Sequence, residues 1–314
     1  MTPWSRLRDR GVLGINARNI TFTLGENPRR LYPLVDDKLK SKALCRAAGI
    51  TVANVLGQAD HHAGVRPLVE SLRSRSNFVL KPAKGAMGNG ILVLGEATES
   101  GWIDAHGRAV SAADLRYHAE SVISGLYALG GQPDVAFAEE RLTVSDAFAP
   151  IVYHGVPDIR VIVYRGVPVM AMTRLPTRRS GGKANLHQGA VGAGIDLDRG
   201  RTNHAMIGTR SIVEHPDTGH RVVDFAVPAF DTTLRTALRA TDQTGLGYVG
   251  ADIVVDRDRG PMVLELNARP GLAIQLANRC GLETRLDAVR DRLRPGLDFE
   301  ARLSLGIDIA RSTA

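Results

Sequence analysis

Two apolar runs near the C-terminal third, Tyr248 to Val255 and Met262 to Leu266, are each broken by a single carboxylate, Asp252 and Glu265. Runs of this length and character predict buried strands, and the polar link Asp256-Arg257-Asp258-Arg259-Gly260 between them predicts a hairpin. Side chains alternate across a strand, so Glu265 and Asn267 share a face, and antiparallel pairing brings Asp252 to them. Ile159 to Tyr164 and Val167 to Leu175, split by Arg165-Gly166, predict a second hairpin. Asp36 and Asp37, then Leu39, Ala43 and Ala47 at helical spacing, then Gly49, predict a helix with a left-handed cap.

The same reading places strands at 50–56, 78–81, 91–94 and 135–138. It places helices at 67–75, at 111–126 behind Ser111-Ala112-Ala113-Asp114, from Pro228 onward, at 272–280 and at 283–293. Residues 1–35, broken by Pro and Gly, are expected to be irregular with at most one short strand, 96–110 turn-rich, and 176–204 loose and polar. Strands and helices in this mixed order predict an α+β protein over a regular βαβ alternation.

Composition narrows the functional classes. The 314 residues, 44% hydrophobic and 23% charged, suit a soluble globular chain of one to three lobes. A net charge of +7 suits an anionic partner, but aromatics are only 5% and no basic stretch is interleaved with stacking residues, so nucleic acid is not expected. No signal peptide or long apolar run is visible, and Cys45 and Cys280 match no metal or redox spacing; both points favour a cytoplasmic chain with two buried thiols and no membrane insertion.

Candidate chemistry sits in three places. Asp252, Glu265 and Asn267 offer hard oxygen donors that suit Mg²⁺, against the alternative of solvent-exposed ion pairs. Lys81 leads into Gly85-Ala86-Met87-Gly88-Asn89-Gly90, which reads either as a phosphate cradle, with Lys84 in support, or as a flexible hairpin turn; it fits neither a P-loop nor a dinucleotide fold. Arg160, Arg174, Arg178, Arg179, Lys183, Asn185 and His187 gather donors that imply an anion or form a solvated basic loop. Cys45 and Ser180 have no recognisable base partner, and His187 is either an aid to amine deprotonation or a structural hydrogen-bonder.

In order, Lys81 with its glycine-rich hairpin, Glu139-Glu140-Arg141-Leu142, Asp158-Ile159-Arg160, Lys183-Ala184-Asn185-Leu186-His187-Gln188-Gly189, Asp252 and Glu265-Leu266-Asn267-Ala268-Arg269-Pro270-Gly271 resemble the ATP-grasp enzymes, most of all the RimK-type α-L-glutamate ligases. The resemblance covers about residues 36–280. It implies two lobes with antiparallel sheets enclosing ATP: a short N-terminal segment (1–35) in place of a full preceding domain, a first lobe (36–140) with a helical insertion near 111–126, and a second lobe (141–314). It further implies that Lys81, Gly85, Gly88 and Gly90 hold the nucleotide phosphates. Glu140 and Arg141 would line the adenine hinge, Asp158 would face the ribose, and Lys183 and Asn185 would close over the phosphates. Asp252, Glu265 and Asn267 would hold two Mg²⁺ ions, with Mn²⁺ as an alternative, while Arg160 and Arg174 face the transferred phosphoryl group.

Arg269 replaces a small residue of those ligases, and its planar fork could bind a substrate carboxylate bidentately. The activity expected is an ATP-dependent carboxylate–amine ligase using ATP, a carboxylate and an amine such as an amino acid or peptide. A ligase of a sugar-linked or cell-envelope carboxylate and a degenerate nucleotide-binding partner are the alternatives, and homo-oligomerisation stays open.

Overall fold

A computed structural model describes residues 3–85 and 88–313. The chain divides into two compact units, one of Met1–Asp36, Lys40–Val52 and Thr143–Ala314, the other of Asp37–Leu39 and Ala53–Leu142.

The smaller unit is built on a six-stranded antiparallel sheet of β1 (Val55–Ala59), β2 (Phe78–Pro82), β3 (Leu92–Thr98), β4 (Gly101–Asp104), β5 (Ala109–Ser111) and β6 (Ala136–Glu140), in the order β1-β6-β2-β3-β4-β5. Two helices, His62–Leu72 and Ala112–Ile123, bury Leu68, Val69, Leu72, Leu115, Ala119 and Val122 with Phe78, Leu80 and Trp102 of the sheet. Each large apolar side chain so buried contributes about 1.5–3 kcal/mol. The second helix starts where its sequence says it should: Ser111 Oγ accepts from Asp114 N, and Asp114 accepts in turn from Ser111 N.

The larger unit carries a seven-stranded antiparallel sheet of β7 (Asp158–Tyr164), β8 (Val167–Leu175), β9 (Val191–Ile195), β10 (Thr202–Ile207), β11 (Arg210–Ile212), β12 (Tyr248–Asp256) and β13 (Gly260–Asn267), in the order β11-β10-β9-β8-β7-β12-β13. Alternation sorts its side chains onto two faces. Ile159, Val161, Val163, Ala171, Val249, Ala251 and Ile253 lie in one core with Leu234, Ala237 and Leu238 of the helix Phe230–Asp242. The opposite face is apolar at one end, where Ile162, Tyr164, Met170, Met172 and Tyr248 pack with Ile274, Leu282, Leu286 and Ile309 from three helices. At the other end that face is charged, because Asp158, Arg160, Arg174 and Asp252 continue the same alternation. Arg165 (φ 49°) and Gly166 (φ 74°) make the tight β7–β8 turn that fixes this register.

Several expectations are corrected. The opening 35 residues hold helical turns in place of a short strand: Pro3–Asp9, Ile15–Ala17, a π-helix at Arg18–Leu24 and a 3₁₀ turn at Arg29–Leu31. Their support is tertiary, which periodicity does not register: the Asn27 side chain donates to Tyr248 O (2.8 Å) and Ala268 O (3.2 Å) and accepts from Tyr248 N (2.9 Å). The first strand begins at Val55; Ile50 and Val52 are buried in the core of the larger unit, and Val52 forms only an isolated bridge with Val263. The turn-rich stretch 96–110 contains β4 and β5, and the loose stretch 176–204 contains β9, where Gly192, Ala193 and Gly194 separate the two strand formers Val191 and Ile195 and all five residues are buried. The helix Phe299–Ser312, capped by Asp298, was not anticipated. Cys45 is buried, and burial pushes its thiol up to about 11; Cys280 is half-buried; both are free. Among the described residues no helix is long and apolar enough to cross a membrane.

Candidate functional site

The charged end of the larger sheet is a compact network. Across β12 and β7, Asp252 stands opposite Arg160, and across β7 and β8, Asp158 stands opposite Arg174. Arg160 grips Asp252 with both prongs of its guanidinium (2.7 and 2.6 Å), and Arg174 reaches the same carboxylate (2.7 Å) while also gripping Asp158. Asp252 is 1% exposed and Asp158 4%, so these charges must be paired.

Burial would raise Asp252, but the adjacent Arg160 and Arg174 outweigh it and hold the carboxyl well below its usual range. Burial pushes Asp158 up to about 6, with Arg174 pulling it down and Asp252 adding to the rise. For Arg174, burial opposes the charge, and Asp158 and Asp252 more than restore it.

Glu265 faces Asp252 across the β12–β13 pair, and Asn267 follows on the same face. The predicted metal set is therefore brought together, though not as a ready cage. Asp252 is occupied by two arginines, and Asn267 Oδ1 accepts from Arg269 N (3.1 Å). Among the described residues no three His, Cys, Asp or Glu side chains cluster as metal ligands. Two carboxylates and an amide do fit Mg²⁺, which commonly takes one or two carboxylates and completes its shell with phosphate and water.

Asp158, expected to face a ribose, has both oxygens engaged by Arg174 and sets that arginine's position. Arg269 is exposed, pairs with Asp36 (2.9 Å) and lies over the Tyr32 ring (5.1 Å). Lys183 is exposed, and Asn185 caps the 3₁₀ turn Leu186–Gln188 by accepting from His187 N (3.0 Å).

In the smaller unit, Lys81 is 4% exposed, ion-paired to Glu139 and set over the Phe137 ring (5.5 Å). Glu139 is a site residue that the motif Glu139-Glu140-Arg141-Leu142 does not single out; its signal in the sequence is a carboxylate inside the apolar run of β6, which calls for a cation on a neighbouring strand. Glu140 accepts from Asn54 N (2.9 Å) and Asn54 Nδ2 (3.2 Å), whereas Arg141 is exposed.

Of the glycine loop, Ala86 and Met87 lie outside the described residues. Gly88 and Gly90 take left-handed φ of 76° and 71°, and a Cβ on Gly90 would strike the Tyr127 ring at 2.6 Å. Gly85 is held by Lys38 Nζ, which donates to its carbonyl (2.5 Å), and buried Asp134 accepts from Lys84 N (3.0 and 2.9 Å). The loop is thus anchored at its entry, and Lys84 Nζ donates to Pro133 O (3.3 Å).

Among solved structures, the chain is similar to the ATP-grasp ligase PsnB complexed with a minimal precursor, at 17% identity and TM-score 0.45, covering 89% of this chain and 63% of that one. It is similar to the D-cycloserine synthetase DcsG at 16% identity and TM-score 0.47, covering 85% and 73%. A further match is D-alanine–D-alanine ligase from Bacillus anthracis complexed with ATP, at 14% identity and TM-score 0.43, covering 97% and 76%. No curated protein matches the sequence. The family model described as sugar-transfer associated ATP-grasp matches residues 17–291, so the chain belongs to that ATP-grasp family.

Proposed function

We propose that the chain is an ATP-dependent carboxylate–amine ligase. In this reading the γ-phosphoryl group passes from ATP to a carboxylate oxygen, leaving ADP and an acyl phosphate. An amine then attacks the acyl carbon, loses a proton, and phosphate departs as the amide forms. Such chemistry needs positioning and charge neutralisation more than a nucleophilic side chain.

The carrying observation is that Arg160 and Arg174 are fixed by Asp252 and Asp158 on the face that also bears Glu265 and Asn267. Guanidiniums held by buried carboxylates need no reorganisation when charge develops on a phosphoryl group. Asp252, Glu265 and Asn267 would hold Mg²⁺, which when bound supplies charge neutralisation at the phosphate oxygens. Lys81 and the Gly85, Gly88 and Gly90 backbone take the nucleotide phosphates in this reading, with Glu140 and Arg141 toward the base and Lys183 and Asn185 closing.

The finer substrate choice lies between an amino acid such as glutamate, as in the RimK-type likeness, and a sugar-linked carboxylate. The family description favours the second. ADP release, screened over carboxylate and amine pairs with ATP and Mg²⁺, tests the proposal. An active pair whose turnover disappears in Glu265→Ala is the expected result. Release by no pair, with Glu265→Ala binding ATP-Mg²⁺ as wild type does, would overturn it in favour of a degenerate nucleotide-binding partner.

A further inference from the structure

A second arginine site lies at the apolar end of the same face. Arg18, in the π-helix Arg18–Leu24, is 8% exposed and donates from Nη1 to Pro270 O (2.9 Å). Its Nε is buried with no hydrogen-bond partner, and among the described residues no carboxylate pairs with it. The Tyr248 hydroxyl, in a side chain that is fully buried, also has no partner. Burial presses the Arg18 pKa down, Tyr248 offsets part of that, and Arg269 adds to the depression.

A buried guanidinium without an anion is expensive, and buried polar atoms are nearly always satisfied. Arg285 shows the contrast, for it is as buried as Arg18 but bonds both Val169 O (3.0 Å) and Thr313 Oγ1 (3.0 Å). Beside Arg18, Gly271 is exposed, and a Cβ built there would meet within 4 Å only Arg160 Nη1, at 3.8 Å. That nitrogen is the one corner of the Arg160 guanidinium not aimed at Asp252, whose bonds run from Nε and Nη2. Gly250 makes room for the arrangement, since a Cβ on it would strike Pro270 at 2.7 Å.

We infer that Arg18, the Tyr248 hydroxyl and Arg160 Nη1 form an oxyanion subsite against Pro270-Gly271, which takes a carboxylate or phosphate group on the substrate separate from the carboxylate that is activated. The subsite deepens the ligase reading and rests on it for the identity of the molecule that carries the oxyanion. It also assigns the N-terminal segment a share in substrate selection.

The test is thermal melting of the full chain titrated with glutarate and, separately, inorganic phosphate, against chloride at matched ionic strength. No ATP or turnover is involved, so a failure here is distinct from a failure to release ADP. Wild type is expected to show a saturable rise in melting temperature with at least one anion. Glutarate alone identifies a carboxylate, phosphate alone a phosphoryl group, and both a general oxyanion site. Arg18→Met is expected to melt no lower than wild type without anion, because it removes an uncompensated charge, and to bind the anion at least about tenfold more weakly. Tyr248→Phe, which deletes one oxygen, is expected to weaken binding about threefold to tenfold and decides the matter if Arg18→Met does not fold. A wild type indifferent to both anions, or variants that respond as wild type does, would overturn the inference.

Discussion

Two buried charge clusters sit on the two sheets and are built differently. In the smaller unit Lys81 and Glu139 form a one-to-one pair on adjacent strands. In the larger unit Asp252 is shared by Arg160 and Arg174, and Arg174 is shared in turn by Asp158. A pair loses one partner when one residue is removed, whereas a network loses its hub. With Glu265 counted, the larger cluster has three carboxylates to two guanidiniums, an excess of negative charge that suits a cation.

The largest effect should come from the hub. Asp252→Ala would take from buried Arg160 its carboxylate partner, leave Arg174 with Asp158 alone and cost about 3–5 kcal/mol, measurable by urea unfolding, with ADP release abolished. A loss no larger than that from removing Lys81 would contradict the distinction between hub and pair. Lys81→Met should cost somewhat less, about 3 kcal/mol, by stranding Glu139, and the double variant Lys81→Met/Glu139→Leu should recover most of it because an apolar pair of similar volume is close to neutral.

The pH response should differ as well. Asp158 is raised in the fold to about 6 from an ordinary value near 3.8, so the folded state binds the extra proton between those values. Its contribution to stability is full below about pH 4 and falls as pH rises to 6. Asp158→Asn removes that slope, so the stability of wild type relative to Asp158→Asn should decline across pH 4–6, by at most about 3 kcal/mol. Asp252 acts in the opposite sense: held low, it contributes above the ordinary carboxylate range and is lost in acid. At the small end, Arg269→Ala breaks a surface pair with Asp36 and should change stability by roughly 0–1 kcal/mol. A larger loss would mean that the stacking on Tyr32 matters more than the pair.

The sequence reads well where the signal is local. The two hairpins, the helix capped by Gly49 and the pairing that brings Asp252 to Glu265 and Asn267 follow from period and turn chemistry, and the structure has them. It reads poorly where position depends on distant partners. Gly-rich β9 is placed by its burial between β8 and β10, and the grip of Arg160 and Arg174 on Asp252 and Asp158 depends on β7 lying beside β12, a pairing that no local period marks. Arg18 and the Tyr248 hydroxyl carried no chemical motif, since an arginine's lack of an anionic partner is a property of the packed chain.

The three hydrogen bonds of Asn27 have a consequence for how the chain is made. Its side chain meets Tyr248 and Ala268, 221 and 241 residues further along. At about 5–20 residues per second of synthesis, roughly 10–50 s pass before those partners even exist. During that interval the N-terminal turns have nothing to close on, so a nascent chain halted short of Tyr248 should be cut readily by protease around Asn27, and protection should arrive only when β12 and β13 emerge.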